Sequence, residues 1–135
     1  MERSVFAGLM ILTVLTGVTS HNSQAADIDG AWLSDTAFCR KVFEKKGRQL
    51  SFAKGLRAYG NGFIIEGNQI RGRVARCTIQ TRREQDSVIN LIAVCSTDIA
   101  IDTIQFRLRV EGPNKLVREF AGMPDMEIAY QRCPM

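Results

Sequence analysis

The chain has 135 residues, 45% of them hydrophobic and 24% charged, with 18 Lys and Arg against 14 Asp and Glu for a net charge of +4. That content excludes a disordered or fibrous chain and fits an ordinary globular core. A basic excess this small serves solubility and gives no reason to expect nucleic acid as a partner.

Residues 1–25 have the parts of an export signal. Arg3 supplies a basic start, Val5 to Val18 is almost wholly apolar, and Ser23-Gln24-Ala25 places small residues where a signal peptidase reads. Cleavage is expected after Ala25 or Ala26, with Ser20 as the alternative. The apolar run is short of the roughly 20 residues that span a bilayer. No cysteine follows it closely to take a lipid, and no later segment is apolar enough to form a transmembrane helix. The expected location is the periplasm or exterior of a bacterial cell. Residues 26–135 suffice for one exported domain and not for two.

The one histidine, His21, leaves with this leader. A mature chain without histidine lacks Ser-His-Asp and Cys-His triads and the commonest metal ligand. The expectation is therefore no enzyme, no metal and no cofactor.

The mature chain reads as short alternating runs divided by turns. Ala31 to Leu33, Lys41 to Glu44 and Gln49 to Ala53 read as short strands. Asp35 to Arg40 reads as a helical turn capped by Ser34 or Asp35. Phe63 to Glu66, Gly67-Asn68 and Gln69 to Arg71 form a hairpin signal. Arg71 to Thr81 and Ser87 to Ser96 read as longer strands joined across Arg82 to Asp86. From Asp102 to Val110 the alternation is strict: Ile104, Phe106, Leu108 and Val110 take one face, Thr103, Gln105, Arg107 and Arg109 the other. Glu111-Gly112-Pro113-Asn114 turns the chain into Lys115 to Phe120, and Glu127 to Cys133 is the last strand. The predicted fold is all-β, a small antiparallel up-and-down barrel of about eight strands, with a two-sheet sandwich as the alternative.

Four cysteines, Cys39, Cys77, Cys95 and Cys133, follow the leader. An even count in an exported domain predicts two disulfides, with three pairings open. A hairpin centred near Asp86 sets Cys77 opposite Cys95 and leaves Cys39 to join Cys133. That set is favoured over Cys39–Cys77 with Cys95–Cys133 and over the crossed set.

Asp29-Gly30-Ala31-Trp32 resembles the Gly-X-Trp opening of lipocalin-like barrels, in which the tryptophan closes one barrel end. Within that superfamily the chain is similar to small periplasmic inhibitors of secreted metalloproteases. That resemblance implies an N-terminal arm that enters a protease cleft, here only Ala26 to Asp29. The stretches Gly62 to Asn68, Cys77-Thr78-Ile79, Cys95 to Ile99, Gly122-Met123-Pro124 and Arg132-Cys133-Pro134 resemble a group of short exported bacterial proteins of unknown function.

The candidate sites lie on surfaces. Arg71, Arg73 and Arg76, with Arg82 and Arg83 nearby and Arg107 and Arg109 on another strand, are a candidate basic patch for lipid headgroups or envelope polysaccharide. The alternative is a solvated outer face. Phe120, Met123, Pro124 and Met126 are a candidate contact loop, with Met123 and Met126 folding back as a lid in the competing reading. Asp98, Asp102 and Glu66 read as turn and cap residues. Trp32, Phe43, Phe52, Phe63, Phe106 and Tyr130 read as core, and a barrel this small is expected to be filled by its own side chains. The function expected is a non-enzymatic exported binding protein with a protein partner in the envelope, or an inhibitor-type module. The alternative is a small apolar-ligand carrier with an internal cavity.

Overall fold

In the computed structural model, which describes residues 24–54 and 62–135, ten strands form. Their ranges are β1 (Gly30–Leu33), β2 (Phe43–Lys46), β3 (Gln49–Phe52), β4 (Phe63–Glu66), β5 (Gln69–Arg71), β6 (Arg76–Gln85), β7 (Val88–Ser96), β8 (Ile101–Val110), β9 (Lys115–Phe120) and β10 (Met123–Arg132). Eight of them close into an antiparallel barrel in the order β1-β10-β9-β8-β7-β6-β5-β4, with β4 returning to β1. Closure leaves no free sheet edge in the barrel. The leader expected at 1–25 lies, through residue 23, outside the described residues. No described helix is long and apolar enough to cross a membrane.

Period-two alternation sets the inside of the barrel. Ile89, Leu91, Ala93 and Cys95 on β7 are buried, and residues between them face out. With Ile28, Trp32, Ile65, Ile70, Cys77, Leu108, Leu116 and Tyr130 they form the inner core. A second core sits outside the barrel. There Ala31, Leu33 and Ile64, on the outer faces of β1 and β4, meet Cys39, Val42, Phe43 and Cys133.

The second core explains two departures from the sequence reading. Lys41 is not in a strand; a 3-10 turn at Thr36–Phe38 runs into one turn of helix, α1 (Cys39–Val42), with the Asp35 carboxylate accepting from the Ala37 N–H at 2.9 Å. The β2–β3 hairpin then forms a separate ribbon and takes no place in the barrel. Its apolar residues Phe43, Leu50 and Phe52 turn to the outer core, and Phe43 and Phe52 pack with ring centroids 5.3 Å apart. Gly62 makes this contact close: a Cβ there would stand 2.8 Å from Leu33 Cδ1 and 2.8 Å from Phe43 Cζ.

Both predicted disulfides are present. Cys77 and Cys95 are direct register partners on β6 and β7, with Cα atoms 3.9 Å apart. Cys39 and Cys133 join α1 to the end of β10. Two disulfides fit an oxidising compartment. The β6–β7 turn is tighter than expected. The strands run on to Gln85 and Val88, and only Asp86 and Ser87 remain as the connection, Asp86 with φ 55.

Candidate functional site

The two ends of the barrel differ. One end carries the turns at Gly67-Asn68, Asp86-Ser87 and Glu111–Asn114, and it is stoppered. Trp32 is buried there and donates its indole N–H to the Ile28 carbonyl at 2.9 Å. Arg132 lays its guanidinium over the Trp32 ring, 4.5 Å from the centroid, and donates to the carbonyls of Asp27, Asp29 and Pro113. Gly30, with φ +141, leaves room for this arginine; a Cβ there would meet Arg132 Nη1 at 3.0 Å. Trp32, the tryptophan of the Gly-X-Trp sequence, is thus buried at this end of the barrel. Arg132 was missed as its partner. The carbonyls it joins belong to segments remote in sequence, so no local pattern marks it.

The Ala26–Asp29 arm is part of the stopper. Ile28 is buried in the inner core, Arg82 donates to the Ala26 carbonyl, and the Asp29 carboxylate accepts from the Gly67 N–H at 3.1 Å. In this structure the arm is packed and hydrogen-bonded against its own barrel.

Among the described residues, the other end is open. The loops Gly72–Ala75 and Thr97–Ala100 and the turn Ala121-Gly122 frame it. Behind this mouth the barrel holds a cavity of about 430 Å³. Its wall is mostly apolar: Phe63, Ile65, Ile70, Ile104, Phe106 and Leu108, with the sulfurs of Cys77 and Cys95. The interior is therefore not filled as expected. Trp32 and Ile28 fill the stoppered end, but near the mouth the inward positions on β6 and β7 hold the short side chains of Cys77 and Cys95, one ladder pair inside Arg76 and Ser96.

Two polar side chains enter the cavity. Arg118 shares the inward face of β9 with Leu116 and Phe120. Its guanidinium carbon lies 4.8 Å from the Phe106 centroid and 4.6 Å from the Phe120 centroid. Tyr130 is buried, edge-on to Phe63 at 4.8 Å. Burial pushes the Tyr130 hydroxyl above its ordinary pKa, and the adjacent Arg118 opposes that rise.

The basic-patch expectation is divided by the fold. Arg71, Arg73 and Arg76 do meet, around a second, polar pocket of about 490 Å³ that also includes Asp98. Arg71 is engaged there, with Glu66 at 3.0 Å and the Leu50 carbonyl at 2.7 Å, and Arg73 lies over Phe52. Arg107 and Arg109 lie apart from this group and are neutralised. Arg107 pairs with Glu119 at 2.6 Å, and Arg109 pairs with Glu111, Glu119 and Glu127. The Lys115 ammonium first, then Arg109, lowers the Glu111 pKa; Arg107 first lowers that of Glu119. The expected contact loop is also different in kind. Phe120 ends β9, while Met123, Pro124 and Met126 lie in β10, where the register shifts between Met123 and Glu127. Met123 and Met126 stay exposed and do not cover the mouth as a lid.

These features define a small two-disulfide antiparallel barrel with one stoppered end and one open, apolar end. Compared with known proteins, the chain matches no family model, no curated protein and no solved structure. The likeness to lipocalin-like barrels and protease inhibitors therefore extends to barrel architecture alone.

Proposed function

We propose that this is a non-enzymatic, exported binding protein whose barrel carries a small, largely apolar ligand. The observation that supports this reading is the cavity of about 430 Å³ behind the open mouth. Its size lies within the roughly 300–1,000 Å³ of small-molecule sites, and an apolar wall with few polar groups is their usual lining. The test is fluorescence titration with the neutral probe N-phenyl-1-naphthylamine. Saturable enhancement is expected in the wild type and weaker binding in I104W, whose larger ring narrows the cavity. A wild-type protein that gives no enhancement, or an I104W protein that binds equally well, sinks the reading.

A protein partner at the mouth is the second reading. It draws on Val74, Ile99 and Ile101, which are large, apolar and 80%, 96% and 77% exposed. Apolar side chains grouped near one end of a domain are a frequent mark of a contact surface. On this reading V74S/I99S/I101S loses a cross-linked envelope partner while probe binding is unchanged. Undiminished cross-linking removes the support.

A further inference from the structure

We propose that the cavity ligand is a single-tailed amphiphile ending in a carboxylate, and that Arg118 receives that carboxylate. The inference rests on the carrier reading above and specifies its ligand.

Arg118 is out of pattern on its strand. The inward neighbours on β9 are Leu116 and Phe120, and its register partners on β8 and β10 are Leu108 and Ile128. An arginine among four apolar side chains adds nothing to the packing that a leucine would not do better. The cavity wall includes two cations, Arg118 within and Arg73 at the rim, and no carboxylate. The cavity therefore presents uncompensated positive charge to whatever enters.

Of the other arginines on barrel strands, Arg76 and Arg83 are exposed to solvent, and the rest are matched. Arg71 has Glu66, Arg82 has Glu84, Arg107 has Glu119, and Arg109 has Glu111, Glu119 and Glu127. Arg132 is satisfied by carbonyls. Among the described residues Arg118 forms no ion pair; its neighbours are the Phe106 and Phe120 rings and the Tyr130 hydroxyl. Rings stacked on a guanidinium engage its flat faces and leave N–H donors in its plane. Such a fork fits a carboxylate with two parallel hydrogen bonds. A charge in apolar surroundings is costly until it is paired. An entering carboxylate supplies the pair, and the apolar wall takes the tail.

The test uses the mature protein loaded with N-phenyl-1-naphthylamine and compares displacement by dodecanoate and by dodecanol, which differ in the head group. Dodecanoate should displace the probe at a concentration at least about tenfold lower, the effect of hydrogen bonds to a charged group. R118Q should treat the two competitors alike, each displacement being read against the variant's own affinity for the probe. R118K keeps a cation without the fork and should show a reduced preference. Equal displacement by the two competitors in the wild type overturns the inference. So does a preference undiminished in both variants. Failure of the probe to bind the wild type is a different result, because it removes the carrier reading and this inference with it.

Discussion

Removing the two disulfides separately should destabilise the protein unequally, and the sizes follow from where the bridges lie. Cys39 and Cys133 are 94 residues apart; Cys77 and Cys95 are 18 apart. The loop entropy each bridge removes from the unfolded chain corresponds to about 4.7 kcal/mol for the first and about 3.2 kcal/mol for the second. All four cysteines are between 3% and 6% exposed, so alanine replacement leaves comparable packing defects at both bridges. Those defects largely cancel in the comparison, which isolates the loop term. C39A/C133A should thus cost about 1.5 kcal/mol more than C77A/C95A. Urea unfolding of the oxidised proteins, followed by far-UV circular dichroism, measures this by linear extrapolation. The urea dependence should steepen in both variants, since an unlinked unfolded chain exposes more surface. A C77A/C95A protein that is the less stable of the two would refute the reasoning. It would mean that the wall of the cavity, and not closure of the chain ends, is where the bridges act.

Two further outcomes are expected. G62A should lose about 1–3 kcal/mol in the same urea assay, because its new methyl meets Leu33 and Phe43 at 2.8 Å and the Trp32 carbonyl at 3.2 Å, all in a filled core; unchanged stability would show that the ribbon is free to shift away from β1. The Glu111 and Glu119 pKa values are lowered in the fold, so their contribution is present above the unfolded carboxylate value of about 4.3 and is lost as pH falls through the lower folded values. Melting temperature should therefore decline below about pH 4 less steeply in E111Q/E119Q than in the wild type, and parallel profiles would contradict this.

The barrel and its bridges were legible because alternation and symmetry about a turn are local properties. Taking Asp86 as the centre of a hairpin sets Cys77 opposite Cys95, and they are partners; the turn itself is Asp86-Ser87, half a residue later, and a register shift between Ile79 and Thr81 makes up the difference. The strict alternation from Ile104 to Val110 likewise fixed β8, and Gly67-Asn68 fixed the β4–β5 turn. The sites were less legible because they depend on pairings between strands. Arg107 and Arg109 look free along β8; the carboxylates that neutralise them, Glu119 and Glu127, arrive from β9 and β10. The β2–β3 ribbon has the length and composition of any strand pair, so nothing along the chain sets it apart from the barrel strands. Only the outer core formed with Leu33, Ile64 and Cys133 shows why it lies outside. Arg118 left one overlooked signal: Leu116 and Phe120 share its face, so inward placement follows from the same alternation that located β8.

The cavity needs an explanation, since an apolar interior ordinarily contracts around a void. A closed sheet resists contraction, because narrowing it means breaking strand pairs or sliding registers all around the ring. Here register slip at β6 and β7 is blocked by the Cys77–Cys95 bridge, which lies in the cavity wall itself. At the other end Arg132 joins Trp32, Asp27, Asp29 and Pro113, so the stopper holds β1 and β10 together. The bridge thus braces the barrel beside the mouth and the arginine braces the stoppered end. The same short side chains that let the bridge form, two cysteines where larger residues would fill the barrel, are what leave the space. A bulkier side chain at Cys77 or Cys95 would therefore both narrow the cavity and give up the cross-link.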